Sequence, residues 1–398
     1  MMSAPIIKRR SIGILLIAEM AAMSLWFISS AILPDMLREV TISPARQAAL
    51  SSGVQAGFVL GALFSAIFGL ADRFDPRRVF AMAALTAAIV NMTLLVTSPD
   101  SMLAIGARIL TGALLAGVYP VGMKIVVGWG HQDRGFLVGL LVGALTLGSA
   151  LPHLITFAGG ANWRLAIVVT SAASAIAGIL VLSISLGPHH GKATKFDPRV
   201  IIAAWTNRRV RLAYAGYLGH MWELYAMWAW IGAATAVSYG HSLPESAALS
   251  LAKLTAFAAI GIGALTSILA GFVADRVGKA EVAIVALTLS ALAALLAALT
   301  FGGPIWVTFA IVLIWGMAVI PDSAQFSALV ADASPAEQAG SLMTLQTALG
   351  FALTFATVQI TPTLVAWFGW PTVLASLALG PAFGVVAMHR LRALDRDI

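Results

Sequence analysis

The chain has 398 residues, of which 60% are hydrophobic and only 10% charged, where a soluble domain carries roughly a quarter. That balance excludes a soluble globular protein, and the net charge of +7, which would suggest nucleic acid in a soluble chain, falls here in short links between apolar runs. There is no cysteine, which excludes disulfides, thiolate nucleophiles and Cys-ligated metals.

Lys8, Arg9 and Arg10 precede the first apolar run, Ile12 to Leu33. The run is long and lacks a small-residue cleavage site, so it reads as an uncleaved first transmembrane helix. Apolar runs of about 20 residues then recur to the end, each long enough to cross roughly 30 Å of hydrocarbon at 1.5 Å per residue. They fall at about 11–33, 46–70, 77–97, 100–125, 135–158, 162–186, 209–236, 245–273, 280–302, 304–328, 337–362 and 370–390. The expected fold class is therefore all-α and polytopic, with twelve transmembrane helices. The longest interruption, Gly187 to Arg208, is rich in charge, glycine and proline. It divides the chain into a six-helix bundle over 1–187, a cytoplasmic linker over 188–208 and a second six-helix bundle over 209–398. With the N-terminus in the cytoplasm, 18 of the 24 Lys and Arg residues lie in cytoplasmic segments and three (Arg38, Arg46, Arg164) in outer loops. Such an asymmetry places both termini in the cytoplasm of a cell's inner membrane.

The two halves carry matching text. "EMAAMSLW" (19–26) aligns with "ELYAMWAW" (223–230), pairing Glu19 with Glu223, Met23 with Met227 and Trp26 with Trp230. The links "GLADRFDPRRV" (69–79) and "GFVADRVGKAEV" (271–282) share Asp-Arg at Asp72-Arg73 and Asp275-Arg276, and "VYPV" (118–121) echoes "VIPD" (319–322). Near-constant offsets argue for a duplicated six-helix unit. On these residues the chain resembles the major facilitator superfamily over essentially its whole length. The family's loop motif, G-x-x-x-D-R-x-G-R/K, is matched by Gly271, Asp275, Arg276, Gly278 and Lys279; the first half keeps Asp72, Arg73 and Arg77 but has Phe68 and Asp75 for the two glycines. "RILTG" (108–112) is similar to the family's R-x-x-Q-G element, with Thr111 for Gln. The resemblance implies two pseudo-symmetric bundles with a solute site at the midplane between them, and a gating role for Asp72, Arg73, Arg77, Asp275, Arg276 and Lys279. The drug-antiporter element of helix five is degraded, because Pro152 and His153 stand where Gly-Pro belongs.

An ionisable group at a helix centre costs at least about 2.5 kcal/mol on insertion scales, so each is a candidate site residue. Glu19 falls in helix one, and His220 and Glu223 in helix seven. Helical spacing puts His220, Glu223, Met227 and Trp230 on one face, and likewise Glu19, Met23 and Trp26. Arg108, in helix four, cannot lose its proton and calls for water, a carboxylate or a bound anion. Asp322 lies toward the cytoplasmic end of helix ten and Gln346 on helix eleven. These ten residues form the expected substrate-binding and proton-coupling set.

No H-E-x-x-H, G-x-S-x-G or P-loop occurs, which argues against an intramembrane enzyme and against direct ATP drive. No ligand pair has diagnostic metal spacing, and no cofactor is implied. The reading is a monomeric secondary active transporter that works by alternating access and is coupled to protons. Its partners are a small organic solute, protons and lipid, not nucleic acid. A drug or organic-cation efflux antiporter is the alternative, ahead of a divalent-metal or inorganic-anion carrier and a transport-dead sensor.

Overall fold

In hydrocarbon every backbone N–H and C=O must find a partner inside the protein, and a helix does this along its whole length except at its ends and breaks. The computed structural model describes residues 4–68, 70–130, 133–160, 162–189 and 200–396, and every regular element among them is helical. Lys192, Lys195 and Arg199 of the expected linker lie outside these residues, as does the side chain of Asp72.

The chain divides into two compact units, Met1–Ala193 and Thr194–Ile398. The first holds α1 (Ala4–Met23), α2 (Ile28–Met36), α3 (Pro44–Phe68), α4 (Leu70–Arg73), α5 (Pro76–Met92), α6 (Met102–Leu115), α7 (Tyr119–Trp129), α8 (Arg134–Ala158) and α9 (Trp163–Leu180). The second holds α10 (Val200–Thr206), α11 (Arg208–Tyr239), α12 (Glu245–Val277), α13 (Lys279–Leu299), α14 (Ile305–Ala318), α15 (Ser323–Asp332), α16 (Ala336–Leu377) and α17 (Leu379–Arg396). Polar residues start several of them. Asp75 caps α5 by accepting from the Arg77 N–H, Ser101 caps α6, Asn162 caps α9 and Asn207 caps α11.

Ten runs among the described residues are long and apolar enough to cross a membrane, two fewer than expected. One difference is the run Gln338–Leu394, which contains two expected spans and is interrupted at Gly369, a left-handed residue with φ 76°. The other is α11, whose tryptophans, tyrosines, His220 and Glu223 make its 32 residues less apolar than the rest. Three expected spans are broken. The run 11–33 divides into α1 and α2, 100–125 into α6 and α7, and 304–328 into α14 and α15. Pro120 and Pro321 explain the last two, since a proline offers no N–H and its ring clashes with the carbonyl four residues earlier.

The internal repeat extends to packing. In the first unit α1 packs on α8 and α9, α3 on α6, and α5 on α6 and α9; in the second α11 packs on α16 and α17, α12 on α14, and α13 on α14 and α17. Gly112 of α6 lies so close to α3 that a β-carbon there would overlap the Val54 carbonyl, and Gly316 of α14, at an offset of 204 residues, stands the same way against Ala259 of α12. The close approach of small residues is a common way for membrane helices to gain van der Waals contact.

Gly112→Ala and Gly316→Ala should each destabilise their unit by about 1–3 kcal/mol through overpacking. Gly106→Ala, where a β-carbon meets nothing within 4 Å, should leave the protein as stable as the parent. Thermal unfolding of the purified protein in detergent checks this; parental melting of Gly112→Ala would contradict the close-contact account.

Candidate functional site

Glu19 sits in the last two turns of α1, fully buried, and neither carboxyl oxygen has a hydrogen-bond partner. Opposite it stands Gly122 of α7, where a β-carbon would lie 2.5 Å from Oε2. The missing side chain makes the room that the carboxyl group occupies. Met23 and Trp26 follow, both buried, with the Trp26 ring 4.9 Å from that of Phe58 on α3.

Between α1 and α2 the backbone leaves the α-helix. The N–H groups of Leu25 and Trp26 bond back three residues, to the carbonyls of Ala22 and Met23. The carbonyls of Leu25 and Trp26 are met by Arg108 of α6, whose Nη2 donates to both at 2.8 and 2.9 Å. Its Nη1 donates to Oδ1 of Asn91 at 3.0 Å, and Nδ2 of Asn91 donates to the Ser171 hydroxyl at 2.9 Å. Among these bonds no carboxylate takes part. The guanidinium therefore fills the gap left by a broken helix, using its fan of donors. At the offset defined by Gly112 and Gly316 the second unit has Val312 in place of Arg108, and α11 runs unbroken through the region equivalent to the break.

Glu223 has a different environment from Glu19. Oε2 accepts from the Ser290 hydroxyl of α13 at 2.7 Å, and Oε1 accepts from the Trp315 indole N–H of α14 at 2.8 Å. His220, one turn earlier on α11, turns instead toward the break between α14 and α15, where its Nδ1 lies 2.9 Å from Oδ1 of Asp322. This is an ion pair whenever the imidazole carries its second proton. Met227 is buried, and the Trp230 indole N–H donates to the Val358 carbonyl of α16 at 3.1 Å. The expected face of α11 thus meets several neighbours: α13 and α14 at Glu223, α15 at His220 and α16 at Trp230. Gln346 of α16 is buried, with neither amide atom paired.

In the first turn of α5, Arg77 is tied to the capping Asp75 at 2.7 Å and also donates to the Ile184 carbonyl. The Arg77 guanidinium holds the Asp75 carboxyl below the usual carboxylate range. Asp75, which departs from the family glycine, is therefore a helix cap. Arg73, Asp275 and Arg276 are exposed, Gly278 takes φ 108° at the end of α12, and the Lys279 ammonium pairs with Asp332. Asn91, Gly122, Ser290 and Trp315 were absent from the sequence expectation. Asn91, an amide in the apolar stretch of α5, and Ser290, a hydroxyl in an Ala- and Leu-rich helix, carried a visible signal.

A family model described as Major Facilitator Superfamily matches residues 15–356. No curated protein matches significantly. Among solved structures, a crystal structure of the nucleoside transporter NupG aligns over 97% of this chain and 99% of its own with a TM-score of 0.75. At 15% identity, that likeness concerns the fold.

Arg108→Lys retains the positive charge but gives up the fork that reaches Asn91 and both carbonyls. The loss of hydrogen bonds from a buried charged donor should lower stability by about 1.5–3 kcal/mol, read as a fall in melting temperature in detergent. A variant that melts like the parent would show that the guanidinium is not needed to close the helix break.

Proposed function

The chain belongs to the major facilitator superfamily and is a transporter rather than an enzyme; from that premise we propose that it moves a small organic solute by alternating access, coupled to protons, with Glu19 as the proton-carrying group. The observation that carries the coupling is the contrast between two acids in equivalent places of the repeat. Glu223 has a hydroxyl and an indole holding its oxygens. Glu19 has neither, and Gly122 leaves it the room.

A buried charge without a partner is far more costly than a buried neutral group. A carboxyl group so placed suits a cycle in which it enters the apolar interior as the acid and releases its proton when water reaches it. Arg108 does not take this role, because its Nη1 and Nη2 are engaged by Asn91 and two backbone carbonyls and a guanidinium keeps its proton. The exposed Arg73, Asp275 and Arg276, together with Asp72, Arg77 and Lys279, would serve the cytoplasmic gate. Their place in short basic links supports an inner-membrane orientation with both termini in the cytoplasm.

The test uses proteoliposomes with an imposed proton gradient and a labelled panel of organic acids, amines, amides and nucleosides. Once an accumulated solute is found, Glu19→Gln should abolish its uphill accumulation yet keep exchange at equal pH, and Glu223→Gln should retain gradient-driven accumulation. Uphill accumulation by Glu19→Gln with the pH dependence of the parent would remove Glu19 from the coupling.

A further inference from the structure

The second unit contains polar valences that neither its packing nor the proton cycle uses. Gln346 is 1% exposed, and its Nε2 donor and Oε1 acceptor both lack partners. An unpaired primary amide in an apolar bundle costs about 1–3 kcal/mol per group, and a Leu of similar size would avoid it. His220 is also 1% exposed. Its Nδ1 faces Asp322 while Nε2, at the far side of the ring, is buried without a partner.

These groups belong to three helices that pack on one another, α11, α15 and α16. The Tyr214 hydroxyl donates to the Leu342 carbonyl, and a β-carbon on Gly350 would press on Tyr217 and come within 3.0 Å of Met221. Leu342, Gln346 and Gly350 are one turn apart, so Gln346 stands on the row of α16 that faces α11 between Tyr214 and Tyr217. Around His220 the rings form a wall. Tyr217 lies 6.2 Å and Phe326 5.8 Å from the imidazole, and the two lie 6.1 Å from each other, centroid to centroid.

We propose that Gln346 and the Nε2 of His220 form a recognition site in the second unit for a neutral, flat solute that presents a hydrogen-bond donor and acceptor side by side, as a lactam, an imide or a nucleobase edge does. A carboxamide offers one donor and one acceptor in a plane and pairs two-fold with such an edge, as Gln and Asn do with adenine. Neither a carboxylate nor an ammonium ligand satisfies both atoms, since the first only accepts and the second only donates. Asp322 and His220 face each other, so the site presents no isolated charge that would select an ion. The aromatic wall suits a planar ring. This proposal deepens the transporter reading and rests on it for the word solute; the binding claim stands separately.

Purified protein in detergent is titrated with uracil, benzoate and benzylamine, and binding is followed by thermal shift and by calorimetry. Uracil should raise the melting temperature while the two ions do not. Gln346→Leu should melt at or above the temperature of the unliganded parent and bind uracil at least about tenfold more weakly, the loss of one or more hydrogen bonds at about 1.4 kcal/mol per decade. Gln346→Met, which keeps the length of the side chain but loses the amide donor and acceptor together, should weaken binding similarly. Preference for either ion, absence of uracil binding, or unchanged uracil affinity in Gln346→Leu would each overturn the site. Uracil binding without any uracil exchange in proteoliposomes would leave the site standing and count against the transporter reading.

Discussion

The structure depends on one constraint: a helix that breaks inside hydrocarbon must find other partners for the backbone groups it releases. In the first unit that partner is Arg108. Its guanidinium holds the carbonyls of Leu25 and Trp26, and is itself held by Asn91, which in turn donates to Ser171. The first helix can therefore bend just past Glu19, within a bundle that otherwise repeats the pairing of the second unit. Where Val312 replaces the arginine, α11 stays continuous. The arginine thus accompanies the break between α1 and α2, and the valine accompanies the unbroken α11.

That distinction reaches the acids. Glu19 and Glu223 begin as equivalent positions of a duplicated sequence, yet only Glu223 has acquired a hydroxyl and an indole to hold it. Each of these hydrogen bonds contributes about 0.5–1.5 kcal/mol, and together they make Glu223 a joint between α11, α13 and α14. Glu19 keeps its chemistry available. Polar specialisation in the second unit moved elsewhere, to His220, Asp322 and Gln346.

Much of this was legible in the sequence. Period and length of the apolar runs give a helical membrane protein, the offsets 19/223 and 72/275 give the duplication, and scarcity of charge singles out Glu19, Arg108, His220 and Glu223. What was not legible depends on distance along the chain. Arg108 meets carbonyls 82 and 83 residues away that exist as acceptors only because a helix breaks there. Trp315 is 92 residues from Glu223, and its indole could as well have faced lipid. The breaks at Pro120 and Pro321 were hidden because a hydropathy sum ignores where a proline falls in the run, and Gly122 matters for the atom it lacks.

The account's central claim is that equivalent acids have unequal roles, and infrared difference spectroscopy of the purified protein during a pH titration tests it most directly. A carboxyl group that gains and loses a proton inside the protein gives a carbonyl band of the protonated acid, which changes with pH. The account predicts that this band is present in the parent, survives in Glu223→Gln and vanishes in Glu19→Gln. A band that survives in Glu19→Gln and vanishes in Glu223→Gln would contradict it.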